Sequence, residues 1–284
     1  TIGTATGVST TSLSITFTAP SDVGGGAITS YTAIAKRTSD GVLFTASGAS
    51  SPITVTGLTA VPFTVSVVAV NAYGPSAASA ASNSVTPAMQ PGDAFGGGYF
   101  AGQISTAGNS IADYNLVVGP VASAQNASKQ WKIVNTTTAG TSSVIDGPAN
   151  STAMNDVTHP AAQFCEGLTI GGFTDWYMPA KNELEVCYYN LKPTTGSNNT
   201  SSGTNTNAVP SRGSNYTAGT PAQTTATDFK DTGAEDFAAA IYWSSTEASP
   251  MYAWRQTFVS GDQSATSVYK NTALHVRAIR RVAV

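Results

Sequence analysis

Phe63-Thr64-Val65-Ser66-Val67-Val68-Ala69-Val70-Asn71 is the most regular stretch of the chain, with Phe63, Val65, Val67 and Ala69 spaced two apart between mostly polar neighbours. A period of two puts alternate side chains on opposite faces of an extended backbone, so the stretch reads as a strand with one buried face. The same rhythm recurs outward from it. Upstream lie Ile53, Val55 and Leu58, then Ile28, Tyr31, Ala33 and Ala35, then Leu13, Ile15 and Phe17. Asp40-Gly41 is a hairpin signal, and Pro20 with Gly24-Gly25-Gly26 ends the first strand. Downstream, residues 71–75 read as a turn and residues 82–87 as a last short strand. Six or seven short strands at this spacing predict an all-β sandwich over residues 1–87. Tyr31, Tyr73 and the glycine-rich turn read as core and turn residues rather than partner contacts.

Beyond this domain, residues 88–98 mix Pro and Gly without periodicity, which places a linker at 88–94 and a second domain over 95–284. Tyr99-Phe100 and residues 114–118 read as strands, with Trp131 as the anchor of the next region. Ala161, Phe164, Cys165 and Leu168 fall at helical spacing after Pro160, and Leu184, Cys187, Tyr188 and Leu191 repeat it before Pro193. Each cysteine thus sits on the buried stripe of its own helix. A disulfide between Cys165 and Cys187 and a pair of buried free thiols both fit. Residues 194–235 are rich in Thr, Ser, Asn and Gly and lack periodicity, a length that in a compact domain marks a functional or mobile segment. Closing strands are expected at 241–243, 252–258, 265–269 and 275–282, so the second domain reads as α+β.

Composition removes several classes of function. Charged residues make up 10% of the 284 positions, against about 25% in ordinary soluble domains, and the net charge is −3 without a basic run. That leaves no footprint for nucleic acid. No apolar run approaches the roughly 18 residues of a membrane span. The two cysteines lack the spacing of a structural zinc site, two histidines are too few for a His-rich centre, and no cofactor is expected. The sequence starts at Thr1 with neither Met nor a signal pattern, and reads as a processed product or a fragment.

Two resemblances sharpen the reading. Thr56-Gly57-Leu58, the run Phe63 to Val67, Ala69-Val70-Asn71-Ala72-Tyr73-Gly74 and Val85-Thr86-Pro87 resemble bacterial fibronectin type III domains, with Phe17 and Phe63 where that family often has Trp and Tyr. Gly171-Gly172-Phe173-Thr174-Asp175-Trp176-Tyr177-Met178-Pro179 with Asn182-Glu183-Leu184, Trp243-Ser244-Ser245-Thr246-Glu247, and Val276-Arg277-Ala278-Ile279-Arg280-Arg281-Val282 resemble the three hallmarks of the Lcl C-terminal-type domain. Tyr177 stands where that family has Arg, which puts the salt bridge of that Arg in doubt. The resemblance implies a C-type-lectin-like fold, found in bacterial adhesins that bind sulfated glycans and in phage particle and tail proteins. From Ser128-Lys129-Gln130-Trp131 through Pro160 to Cys165 and onward, the pattern is most similar to the phage-borne versions.

The hallmark residues Asp175, Trp176, Glu183, Trp243, Ser244, Ser245 and Arg277 read as structural. No enzyme is expected: Ser244 and Ser245 lie in no nucleophile elbow, and the carboxylate pairs Glu166/Glu183 and Glu235/Asp236 have no distinguishing spacing. The redox cysteines of formylglycine-generating relatives lie in the C-terminal part of that fold, whereas both cysteines here lie in the helical part. For binding, residues 252–270 combine aromatic, amide and charged groups suited to carbohydrate or protein surfaces. With Phe258 inward, Gln256 and Trp254 share its face, leaving Arg255, Asp262, Gln263, Tyr269 and Lys270, with Tyr252, as the ligand candidates. Lys270, Arg277, Arg280 and Arg281 suit an anionic-glycan patch, internal ion pairs or a subunit contact. The expectation is a non-enzymatic phage virion surface protein (tail fibre, spike or capsid decoration) that contacts a host glycan or protein, or neighbouring subunits. A homotrimer is implied by family analogy. A secreted glycan-binding adhesin and a purely architectural oligomerising module are its rivals.

Overall fold

A computed structural model describes residues 1–284 and divides them into two compact units, Thr1–Gln90 and Pro91–Val284.

In the first unit, β1 (Ile2–Ser9), β2 (Ser12–Phe17) and β5 (Ile53–Val55) form one antiparallel sheet. The other is built from β4 (Leu43–Gly48), β3 (Ile28–Arg37), β6 (Phe63–Asn71) and β7 (Gly74–Pro75), in that order. Ala33 faces Val67 and Ala35 faces Val65 across β3 and β6, so the alternation of the sequence becomes one wall of the core. Phe63 is fully buried and meets Phe44 edge-on at 5.7 Å. The segment after β7 departs from the expected strand. Ser76, Ser79 and Ser82 donate their backbone N–H groups to the carbonyls of Ala69, Val67 and Val65. Each serine Oγ also accepts the N–H of the same partner, at 3.0–3.1 Å. Serines three apart therefore satisfy every second residue of β6 from a backbone that is not itself a strand, and only Val85 makes a β-bridge, to Phe63. This closes an edge that would otherwise offer unpaired groups for association.

The second unit begins at Pro91, inside the linker expected at 88–94. Gly92 donates to the Phe100 carbonyl, and Ala94 already pairs with Tyr99 through β8 (Ala94–Phe95). One sheet runs β12 (Ala208–Val209), β9 (Gly98–Ile104), β10 (Tyr114–Val118), β17 (Ile279–Ala283), with β8 on β9. The other runs β11 (Gln125–Gln130), β16 (Ala273–Arg277), β13 (Ile241–Glu247), β14 (Ala253–Thr257), β15 (Gln263–Ser264). The expected strand at 275–282 is thus two strands in different sheets. The break is at Ala278, which donates to Ala124 and accepts from Gly119. The strand expected at 265–269 is absent, because Ser267 takes a left-handed conformation and hydroxyls of this stretch bond their own backbone.

Four helices complete the unit: α1 (Val121–Ala124), α2 (Gly147–Thr152), α3 (Pro160–Glu166) and α4 (Lys181–Leu191). α4 packs on β9, where Gly102 has φ +132° and a Cβ would lie 2.3 Å from the Asn190 amide nitrogen. The helix is buried almost all round, Glu183 and Glu185 included, rather than along one stripe. Cys165 and Cys187 are both free thiols in different core clusters, so the disulfide is not formed. Residues 194–235 are held by their own polar groups. Asn198 and Lys192 bond the carbonyls of Pro221 and neighbouring residues, and Tyr216 and Phe229 enter the core.

Candidate functional site

The hallmark residues converge on the seam between the two sheets of the second unit. Glu183, fully buried, accepts from Ala180 N at 2.8 Å, closing the first turn of α4 in the manner of a capping box. The same carboxylate accepts from the Tyr177 hydroxyl at 2.5 Å and from Arg281 Nε at 2.7 Å. Arg281, brought in by β17, is the cation that faces this carboxylate. Asp175 and Arg280 form a two-point pair at 2.7 and 2.9 Å, and Arg280 lies 3.7 Å over the Phe173 ring. Arg277 donates to Gly119 O and to Glu235. Trp243 Nε1 donates to Thr272 O, Ser244 Oγ to Trp254 O, and Ser245 N to Pro179 O. Trp176 is buried in the core shared with Cys165. These residues hold the fold together.

Of the three readings of the basic cluster, the same geometry selects internal ion pairs. Lys270, Arg277 and Arg280 are buried and, like Arg281, face acidic partners, so they form no exposed anionic-glycan patch. A buried cation costs several kcal/mol unless paired, which dictates this arrangement.

The ligand candidates fall into two groups. At one end, Arg255 meets Asp262 at 3.7 Å, Asn199 Nδ2 donates to Asp262 at 2.8 Å, and Gln263 N donates to Ser202 Oγ. Arg255 is mostly covered rather than exposed, its side chain only 12% accessible. Gln256 and Phe258 share the inward face as expected, whereas Trp254 is half-buried with Lys181 Nζ 4.4 Å over its ring. At the other end, Tyr252 and Tyr269 stack across a β-bridge at 5.3 Å and 13°, and Lys270 is not a surface contact but the support beneath them.

Several apolar side chains are exposed around this pair. Lys132 donates its backbone N–H to Lys270 O, Lys270 donates to Met251 O, and Ile133 donates to Thr158 O, so four segments lie side by side. They carry Ile133, Val134, Val157, Met251 and Tyr269, each between 41% and 76% exposed. Ile133, Val134 and Val157 escape sequence reading because they lie in stretches without periodicity; the adjacent pair Ile133-Val134 amid polar residues is the only signal.

Beneath the patch sits a buried polar cluster. Lys132 Nζ donates to Thr137 O and Thr138 Oγ1 at 2.9 Å, and Lys270 Nζ to Thr136 O at 3.1 Å and to Glu247. Glu247 also accepts the Thr138 N–H, and Lys270 lies 4.5 Å over Trp131. His159 bridges Asp156 through Nδ1 and Thr138 Oγ1 through Nε2, both at 2.9 Å. With one Thr138 lone pair facing Lys132, the threonine proton is placed to donate to Nε2, which leaves a neutral ring with its proton on Nδ1. Burial, with Lys132 and Lys270 nearby, holds the His159 pKa below its ordinary value, while the Thr158 hydroxyl and His159 lower Asp156 to about 2. Carboxylate, imidazole and hydroxyl are connected as in a hydrolase relay, yet the hydroxyl is buried and already engaged by Lys132. The cluster anchors the 133–138 loop.

Comparison with known proteins bears on both units. The model of the Lcl C-terminal domain family matches residues 122–280. No curated protein matches the chain. Solved structures that do match include a titin fragment (25% identity, TM-score 0.27), covering 30% of this chain and 32% of that one. The FN5 domain of Drosophila Lar is similar at 22% identity and TM-score 0.26, covering 31% of this chain and 91% of that one. The fn3 domain of human collagen alpha-1(XX) is similar at 25% identity and TM-score 0.26, with 34% and 88% covered. These neighbours are fibronectin type III-like, and the chain spans a third or less of the first titin and twitchin structures it matches.

Proposed function

This chain belongs to the Lcl C-terminal domain family, and we propose that it is a non-enzymatic recognition protein of a phage particle surface. In this reading the second unit, with a C-type-lectin-like fold, contacts a protein on the host surface. The observation that carries the reading is the exposed patch of Ile133, Val134, Val157, Met251 and Tyr269, set on segments pinned by buried Lys132 and Lys270. An exposed apolar group of this kind on a rigid base is characteristic of a contact surface. Aromatic and Met side chains beside the exposed carboxylate of Asp156 suit a protein partner better than a sulfated glycan. The low charge and Ser/Thr/Asn richness of the chain support a particle-borne setting.

The test is saturable binding of the full chain to intact bacterial cells, beside Val157→Asp and Tyr269→Asp. Both positions are exposed, so each variant is expected to fold and to lose more than tenfold in affinity, about 2 kcal/mol for a central contact. Equal binding by wild type and variants, or none by any of them, would sink the assignment of this face to a host.

The apolar character of the patch also favours a second reading, in which it joins copies of the chain or other particle subunits. Light scattering at micromolar concentration separates the two. A stable oligomer dispersed by Val157→Asp supports the subunit reading, and the mass of a single chain removes self-association.

A further inference from the structure

The polar segment 194–235 and the half-buried Tyr189 of α4 line an open cavity of about 290 Å³ that no part of the recognition surface touches. Its walls include Tyr189, Arg212, Ser214, Asn215, Tyr216 and Thr217. The walls are built rather than fortuitous. Asn205 and Arg212 exchange backbone hydrogen bonds at 2.8 and 3.0 Å, and Tyr216 N donates to Ser202 O at 2.7 Å. The Arg212 guanidinium lies 3.9 Å over the Tyr189 ring and pairs with Glu185. Glu185 is fully buried and also accepts from Asn205 Nδ2 at 2.6 Å and the Tyr216 hydroxyl at 2.8 Å.

Charge decides what class of ligand these walls accept. Arg212 is the only charged side chain lining the cavity, and the carboxylate of Glu185 directly behind it cancels its charge. A cation would face the guanidinium, and an anion would compete with a pair already made. What remains is neutral: the exposed side chains of Ser214, Asn215 and Thr217, and the Tyr189 and Tyr216 rings 6.3 Å apart. Asn215 Oδ1 is occupied by the Thr204 hydroxyl, which leaves its amide N–H groups to give, while the Thr217 hydroxyl takes the Thr220 N–H and keeps its own proton to give. Arg212 Nε is covered by its own surroundings and is not among these donors. A ligand that matches must offer many hydrogen-bond acceptors, carry no net charge and present an apolar face to aromatic rings. Sugar rings do all three, with hydroxyl oxygens on their rim and C–H groups on their faces. The volume, just under the roughly 300–1,000 Å³ of drug-sized pockets, suits one or two such rings.

We propose that this cavity is a binding site for a neutral saccharide. It is independent of the apolar patch, so either assignment stands if the other fails.

Saturation-transfer NMR on the full chain tests it with glucose, galactose, mannose and N-acetylglucosamine, each at about 10 mM, tenfold above a millimolar dissociation constant. At least one sugar is expected to receive saturation. Its affinity should fall about tenfold in Asn215→Ala, the scale of a lost hydrogen bond at a site. Binding should vanish in Ser214→Trp, which fills the cavity from an exposed position, and stay unchanged in Tyr73→Ala, an exposed position of the first unit. No transfer to any of the four sugars overturns the proposal. So does transfer undiminished by Ser214→Trp in a variant with wild-type circular dichroism. Should that variant not fold, unchanged affinity in Asn215→Ala overturns it instead. Tighter binding of glucuronate than of glucose would overturn the neutral assignment.

Discussion

Glu183 shows what a single buried charge demands. Its two oxygens take the Ala180 N–H, the Tyr177 hydroxyl and the Arg281 guanidinium, so burial leaves little of the carboxylate unmet. Removing the charge but not the shape leaves Arg281 largely buried against a neutral amide. Glu183→Gln is expected to cost about 3–5 kcal/mol, the range for breaking a buried ion pair, and Tyr177→Phe about 1–3 kcal/mol for one lost donor. Urea denaturation of the two variants checks the order; a Tyr177→Phe loss equal to or larger than that of Glu183→Gln would refute it. The hallmark residues are of types that favour caps and ion pairs, and Asp175, Glu183 and Arg277 make such contacts here. The burial of Lys270 was not legible. The sequence places a lysine after Tyr269 but says nothing of Glu247, 23 positions away, which lets it turn inward.

At the scale of elements, legibility followed periodicity. The strands of the first unit alternate with one face to the core, and period two is enough to find them. The stripe of α4 was equally plain, but its burial on every side was not. That burial depends on Arg281 and Arg212 arriving from distant segments to meet Glu183 and Glu185. Ser76, Ser79 and Ser82 fall outside both periods, so their pairing with β6 reads from the sequence only as a loop. Each Oγ holds one β6 amide, and replacing all three by Ala removes those bonds while the backbone bonds stay. The triple variant is expected to lose about 1 kcal/mol per site. Hydrogen exchange at the Val65, Val67 and Ala69 amides should quicken together, and unchanged exchange there would mean that the serine side chains contribute nothing to the edge.

Over the whole molecule, each unit has its own core, and both histidines lie in the second. Calorimetry is expected to resolve two transitions, of which mild acid moves only the one belonging to the second unit. The sign comes from His159 and His275, whose pKa values burial holds below the ordinary histidine range. Unfolding frees them to bind protons near pH 6.5, so the folded unit loses stability as pH falls through that value toward their lower folded pKa values. Glu166, Glu183 and Glu185 are shifted upward by burial and act in the opposite direction, so His159→Gln serves to isolate the imidazole. A smaller downward shift of that transition between pH 7.5 and 5.5 in His159→Gln than in wild type is expected. Equal shifts would assign the effect elsewhere.

The two unpaired cysteines divide the second unit between them. Cys165 belongs to the core around Trp176 and Trp243, Cys187 to the core around Tyr188 and Phe258, and both thiols are fully covered and pushed upward in pKa. A thiol reagent reaches neither until its surroundings open, so the labelling rate of each is a stopwatch on one half of the interior. Comparing the two rates in a single native sample reveals whether the halves breathe together or one at a time, with no probe added to the chain.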